Sequence, residues 1–229
     1  MQRRHFTSGL ILAASGGWAI DDGHAAGITE SDAALGIRAA LERGAVAAVA
    51  LLGRDGGFLN NPKVRIELPG YLNDAAKVLK FTGQQKRVDE LVTAMNRAAE
   101  KAVPEAKAML VNAVKSMSVE DGRKIVSGGD NSATEFFADK TRSPLAVKFL
   151  PIVTKATEKV SLADKYNKVA GQVASLGLVG KDEANIQHYI TGKALDGLYL
   201  MIGEEERKIR KDPIGTGSAI LKKVFGSLS

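Results

Sequence analysis

Cysteine is absent from the 229 residues of this sequence, and aromatic residues make up only 5% of it. The absence of cysteine excludes disulfides, thiolate metal sites and a cysteine nucleophile. The shortage of aromatic residues argues against a large sheet, because strands collect aromatic and β-branched side chains. Alanine, leucine, valine and lysine are abundant instead, and the composition as a whole favours helices.

Histidine is scarce, with three residues in the chain, and His5 and His24 lie close to the N-terminus. A zinc site needs several His or Cys ligands, and a Ser-His-Asp triad needs a well-placed His. We expect the remaining His188 to occupy an ordinary boundary position on a helix. The sequence therefore predicts no metal site and no cofactor, and it specifies no catalytic residue.

Residues 1–26 have the pattern of a signal peptide. The start MQRRHF is basic, residues 9–20 are mostly apolar, and GHAAG supplies small residues for cleavage near Ala26. This order predicts export to the periplasm. Arg3-Arg4 followed by Phe6 resembles a twin-arginine signal, so the twin-arginine and general secretory routes both stay open.

Long hydrophobic runs are also missing after the N-terminal region. No stretch of eighteen apolar residues follows, so we predict no transmembrane segment in the mature chain. The formal net charge is +6, which suits acidic lipids, acidic polymers or nucleic acid. Because we expect export, we do not predict nucleic acid as a partner. The predicted partners are a lipid, a small amphipathic or acidic ligand, or an envelope protein.

Residues 27–229 predict an all-α fold in a single domain, since apolar residues recur at steps of three and four. We expect a bundle of about eight helices with short connections. Two of these are short helices at residues 72–83 and 218–228. One long extended loop is expected near residues 53–74.

Proline and capping signals predict several helix boundaries. Pro104 should kink or restart the longest helix. Ser118 and Asp121 have the spacing of a capping box. Ser143-Pro144 predicts a new helix start, followed by a kink at Pro151.

The stretch GGFLNNPKVRIELP, residues 56–69, does not fit its helical surroundings. Val64, Ile66 and Leu68 alternate with polar residues as in a strand, and the two prolines disfavour helix. Two interpretations stay open: the segment is a staple that closes the bundle, or it is an arm that lines a cleft for an acidic or amphipathic ligand. Its candidate ligand-binding residues are Phe58, Asn60, Asn61, Arg65 and Glu67.

Two pairs of polar residues complete the candidate site. Asn96 and Glu100 lie four residues apart on one helix face, either as a surface pair or inside a polar cluster that receives the arm. Glu206 and Arg210, in GEEERKIRKDP, form an i,i+4 pair. That pair is either solvated or buried, because an apolar helix face runs through the same segment.

Glycine-rich segments are the last motifs that could bind a ligand. GRDGG and GGDNSAT resemble phosphate-binding loops, and the second opens a predicted helix with free N–H groups. Neither has the spacing of a known nucleotide-binding motif. We expect turns and helix caps at both places.

Several of these stretches together resemble a family of exported bacterial proteins classed as a domain of unknown function. The similarity runs through GGFLNNPKVRIELP, MNRAAEKAV, GGDNSATEFF, KALDGLYLMIGEEERKIRKDP and LKKVFG, in that order. It covers nearly all of the chain after the predicted signal peptide. The resemblance implies a mostly helical fold and an envelope location, and it implies no reaction, cofactor or catalytic residue.

We favour a non-catalytic, exported binder of a lipid, amphipathic or acidic envelope component. One alternative is a carboxylate-dependent hydrolase with Arg65 or Arg210 as the anion anchor, so an enzymatic role stays open. The other is a structural or protein-binding module without a small ligand. An apolar cavity of several hundred Å³ would favour the binder. A close pair of carboxylates in a cleft would favour the hydrolase, and a flat, exposed apolar patch would favour the protein-binding module.

Overall fold

The structure is a computed structural model that describes residues 30–72, 83, 85–158, 160–175 and 184–212. Its regular structure is entirely helical within these residues, which confirms the all-α prediction. The α-helices, numbered in chain order, are α1 (Glu30–Leu52), α2 (Gln85–Ala102), α3 (Ala106–Lys115), α4 (Val119–Ser127), α5 (Ser132–Thr157), α6 (Ser161–Ser175) and α7 (Ile186–Lys211). Short 3-10 helices occupy Gly70–Leu72 and Val103–Glu105.

The prediction of about eight helices and one long extended loop is not confirmed. The expected helices at 72–83 and 218–228 lie almost wholly outside the described residues. In the expected loop, residues 53–60 and 62–64 form bends and turns, and residues 65–69 have no regular structure. The turns arise because Asn60 N–H donates to Gly56 C=O at 3.1 Å, and Arg65 N–H donates to Asn61 C=O at 2.9 Å.

Helix α7 lies at the centre of the packing and contacts α5, α1 and α2. It has buried residues on most of its circumference, including Ile190, Leu198 and Ile202. Three fully buried aromatic side chains, Phe58, Phe137 and Phe149, are the largest groups of the core. The helix that carries GEEERKIRK is therefore the one that the other described elements surround. Within the described residues, no helix has the length and apolarity needed to cross a membrane.

Two predicted boundaries are confirmed. The segment around Pro104 interrupts the helix that was predicted to be the longest, because α2 ends at Ala102 and a 3-10 turn precedes α3. Ser118 and Asp121 form the expected capping box at the start of α4, with Ser118 Oγ accepting from Asp121 N–H at 3.0 Å. Both signals are local and act through adjacent backbone groups.

The helix break predicted at Ser143-Pro144 is wrong. Helix α5 runs without interruption from Ser132 to Thr157 and contains both Pro144 and Pro151. Each proline removes the donor to a carbonyl four residues earlier, and both prolines lie on the exposed side of the helix. Water can hydrate the freed carbonyls there, so the helix continues.

Candidate functional site

Asn96 of α2 holds the segment of residues 56–69, which we call the arm. Its carboxamide oxygen accepts from Ile66 N–H, and its Nδ2 donates to Ile66 C=O, both at 2.8 Å. Nδ2 also donates to Val92 C=O at 2.8 Å. Asn96 is fully buried. The carboxamide thus pairs with Ile66 as a neighbouring strand would, and it satisfies backbone groups that would otherwise be buried without partners.

Glu100, one turn further along α2, holds the beginning of the arm. Its Oε1 accepts from the N–H groups of Phe58 and Leu59, both at 3.0 Å, and its Oε2 accepts from Arg97 Nη1 at 2.7 Å. Burial acts to raise the pKa of Glu100, but the hydrogen bonds from Leu59, Arg97 and Phe58 outweigh burial and lower the pKa. The carboxylate is therefore held ionised by contacts that also fix the backbone.

Phe58 anchors the arm against α7. Its ring is fully buried and lies against Gly197, where an added Cβ would stand 2.7 Å from Cε1 of the ring. The same Cβ would stand 3.2 Å from Cβ of Val64. The preceding turn depends on Gly56, whose φ of 79° is in the region that favours glycine. Small residues on both sides therefore allow the arm to pack closely on the central helix.

The other face of the arm is exposed. Arg65 forms an ion pair with Glu67 and donates from Nη1 to Leu59 C=O at 2.9 Å. Tyr189 of α7 donates to Glu67 C=O at 3.0 Å. Asn60 is exposed, and Asn61 Oδ1 accepts from the N–H of Lys63 at 3.1 Å. The alternation predicted for residues 63–68 is confirmed, since Val64 and Ile66 are buried and Arg65 and Glu67 are exposed.

Glu206 of α7 caps the N-terminus of α5. Its Oε1 accepts from Ala133 N–H at 3.0 Å, and its Oε2 accepts from the N–H and hydroxyl of Thr134 at 2.9 and 2.8 Å. The first N–H groups of a helix have no partner within the helix and attract a negative charge. In the GGDNSAT segment, that position is therefore taken by the protein's own carboxylate. Asn131, which occupies the N-cap position, forms no capping hydrogen bond with its side chain.

Arg210 completes this second cluster. Its Nη2 donates to Glu206 Oε1 at 2.8 Å, to Ile125 C=O at 2.8 Å and to Ser132 Oγ at 2.6 Å. The side chains of Glu206 and Arg210 are only 5% and 18% exposed. Of the two alternatives for this pair, the buried one is correct. The pair joins α7 to the end of α4 and the beginning of α5.

The predicted site residues thus fall into two groups. Phe58, Asn60, Asn61, Arg65, Glu67, Asn96 and Glu100 lie at the arm, whereas Glu206 and Arg210 lie at the junction of α4, α5 and α7. Among the described residues, no hydrogen bond or ion pair joins one group to the other. The buried members contact backbone groups of distant segments, which is the arrangement of a staple.

A groove between α5 and α7, which was not predicted from the sequence, has a volume of about 430 Å³. Its apolar lining includes Ala146, Val147, Leu150 and Leu195. Gly192 also lines it, and a Cβ added there would meet no atom within 4 Å. The groove depends on side chains from two helices that are far apart in the sequence, so no local pattern marks it.

The groove also has polar side chains in its lining: Arg142, Ser143, His188 and Thr191. Arg142 of α5 forms an ion pair with Asp196 of α7 and lies over the ring of Tyr199, with its side chain 46% exposed. Thr191 also lines the groove, and its buried hydroxyl has no hydrogen-bond partner within the described part of the chain. A buried hydroxyl without a partner is uncommon in proteins.

The described residues contain no group of three or more His, Asp or Glu side chains arranged to hold a metal ion.

The sequence profile of the family described as "Protein of unknown function (DUF4197)" matches residues 27–226. The chain belongs to the DUF4197 family. This match confirms the resemblance noted from the sequence, and DUF4197 brings no established activity with it. Neither a curated protein nor a solved structure matches the chain.

Proposed function

We propose that this DUF4197 protein is an exported, non-catalytic binder of an amphipathic molecule with an acidic head, and that the ligand lies in the α5–α7 groove. The observation that carries the proposal is the groove itself, with its volume of about 430 Å³ and its apolar lining. Ligand sites in proteins commonly measure about 300–1,000 Å³ and combine an apolar lining with a few polar groups. A volume near the lower end suits a single acyl chain better than a two-chain lipid.

Arg142 is the anion anchor in this proposal. Its guanidinium carries five N–H donors, and within the described residues its only hydrogen bond goes from Nη2 to Asp196. The contacts with Asp196 and Tyr199 hold the side chain at the groove edge. A carboxylate or phosphate can therefore bind the remaining donors without displacing Arg142.

Thr191 supplies a second polar contact. A Thr in a helix has two accessible χ1 rotamers, so its hydroxyl can turn towards an acceptor on a bound molecule. Leaving a buried hydroxyl without a partner costs about 1–3 kcal/mol. A ligand that accepts this hydrogen bond recovers part of that cost.

The contacts of the two buried carboxylates, Glu100 and Glu206, favour a binder over a hydrolase. Glu100 and Glu206 each use both oxygens in hydrogen bonds to backbone N–H groups or to an Arg. A general acid or base must instead face the substrate with a free oxygen. Export rests on the signal-peptide pattern of residues 1–26, and a periplasmic location would bring the protein to envelope lipids and their products.

The test is titration of the mature protein with cis-parinaric acid, a fluorescent fatty acid. We expect saturable binding, a loss of about tenfold or more in Gly192→Leu, and a smaller loss in Arg142→Gln. Gly171→Leu is the matched control, because Gly171 on α6 also has no atom within 4 Å of an added Cβ and does not line the groove. Equal affinity of the two Leu variants would contradict the proposal.

The same titration distinguishes the groove from the exposed face of the arm, where Asn60, Arg65 and Glu67 were predicted to contact a ligand. Arg65→Ala removes the guanidinium from that face and leaves the buried contacts of Asn96 and Glu100 in place. We expect unchanged affinity in Arg65→Ala. A loss in this variant together with full binding in Gly192→Leu would move the ligand to the arm.

A further inference from the structure

The exposed side of α5 carries an apolar strip that the rest of the described chain leaves uncovered. Val147 is 74% exposed, which is more than any other large hydrophobic residue among the described ones. Pro144 and Pro151 are exposed as well, and spacings of three and four residues place them on the same helix face as Val147. Exposed apolar groups on one face need a partner more than scattered ones do.

Basic residues surround this strip. Lys140, Arg142, Lys148 and Lys155 are all exposed, and residues 140–157 contain no Asp or Glu. Acidic residues appear at Asp139 and Glu158, at the two ends of this segment, and Asp196 of α7 pairs with Arg142. The middle of α5 therefore has a strongly positive outer face with apolar groups at its centre.

We propose that this face docks on an anionic lipid surface. Acidic headgroups attract clustered Lys and Arg, and apolar side chains between the basic residues can enter the headgroup region. The lysines lie on the outside of one helix and form no concave site, which suits a fluid array of charges better than the fixed surface of an acidic protein.

The position of Val147 links the docking face to the groove. Val147 and Arg142 line the α5–α7 groove as well as belonging to the exposed side of α5. A protein docked through this face would have its groove next to the lipid headgroups. The inference goes beyond the proposed function, because membrane docking and ligand binding in the groove can each occur without the other.

The experiment is co-sedimentation of the mature protein with vesicles of phosphatidylglycerol and phosphatidylethanolamine, and with vesicles of phosphatidylcholine alone. We expect binding to the anionic vesicles only, and weaker binding as salt is raised. The double variant Lys148→Glu/Lys155→Glu should bind about tenfold more weakly or worse. Val147→Ser should also weaken binding while the charges stay intact.

The matched control is Lys107→Glu/Lys115→Glu, which makes the same change in net charge at two exposed positions of α3. We expect it to bind anionic vesicles like the wild type, and circular dichroism checks that all variants are folded. Equal loss in the two double variants would overturn the inference in favour of a general charge effect. Absence of wild-type binding to anionic vesicles would overturn it in favour of another partner, such as an acidic protein.

The acyl titration separates this inference from the proposed function. Lys148 and Lys155 do not line the groove, so Lys148→Glu/Lys155→Glu should still bind cis-parinaric acid. Gly192→Leu should still bind anionic vesicles. Loss of vesicle binding in Gly192→Leu would contradict an independent docking face.

Discussion

Gly197 of α7 lies so close to Phe58 of the arm that a Cβ at the glycine would stand 2.7 Å from Cε1 of the ring. Real Cβ atoms do not approach other atoms that closely, so either the ring or the arm would have to move. Phe58 is fully buried and Glu100 holds its backbone N–H. The arm is thus fixed from two sides, by the carboxylate of α2 and by the glycine of α7.

We expect Gly197→Ala to be less stable than Gly192→Ala by about 1–3 kcal/mol, the usual cost of overpacking a core. The comparison is matched, because both glycines lie in α7 and gain the same helix propensity from Ala, up to about 1 kcal/mol. Gly192 has no atom within 4 Å of an added Cβ. Urea unfolding followed by circular dichroism measures both variants, and equal midpoints would mean that the arm does not pack on α7.

Glu206→Gln tests the buried pair at the junction of α4, α5 and α7. We expect a loss of about 3 kcal/mol, because Arg210 remains largely buried without its counter-ion and the N-terminus of α5 loses a charged cap. Glu205→Gln is the control, since the Glu205 side chain is 21% exposed, against 5% for Glu206, and its partner Lys208 is 63% exposed. Exposed pairs contribute about 1 kcal/mol or less.

The same urea titration gives both values. A loss below about 1 kcal/mol in Glu206→Gln would mean that water reaches the pair and replaces its hydrogen bonds. A similar loss in Glu205→Gln and Glu206→Gln would mean that the charge of the segment matters more than its contacts.

The features that depend on neighbouring residues could be predicted from the sequence. The apolar positions beside Glu206 and Arg210 indicated that the pair could be buried, and the alternation of residues 63–68 matches the observed burial. The capping box of Ser118 and Asp121 and the break at Pro104 are also local. These patterns are set by periodicity and by adjacent backbone groups, which a single sequence displays directly.

The contacts that give these residues their roles are not local. Glu206 caps a helix that begins more than 70 positions earlier, and Asn96 pairs with Ile66 thirty positions away. No spacing rule links such residues, since their proximity results from packing of the whole bundle. Pro144 shows the converse, because a strong local signal for a helix break had no effect on an exposed helix face. The α5–α7 groove has the same origin in packing and was missed for that reason.

The role of Glu100 can be tested through the decrease of folding stability at low pH, which we call the acid limb. In the folded protein its pKa lies below the ordinary value of 4.5, because hydrogen bonds from Leu59, Arg97 and Phe58 outweigh the effect of burial. A carboxyl group whose pKa is lowered by folding contributes stability above its unfolded pKa, and this contribution is lost as the pH falls through the folded pKa. Wild-type stability should therefore decrease on acidification below about pH 4.5.

In Glu100→Gln, this part of the pH dependence should disappear, and the stability at neutral pH should be lower by about 1–3 kcal/mol. The loss occurs because an amide cannot supply two acceptor oxygens to the arm and to Arg97. The acid limb should become shallower without vanishing, since the pKa of Asp121 is also lowered, through its hydrogen bonds with Ser118.

Glu90→Gln, at an exposed position of the same helix as Glu100, controls for the loss of one negative charge. If Glu90→Gln and Glu100→Gln changed the acid limb equally, net charge and not the arm contacts would govern it. If only Glu100→Gln did so, the arm would be held to α2 by an ionised carboxylate and would loosen when that carboxylate is protonated.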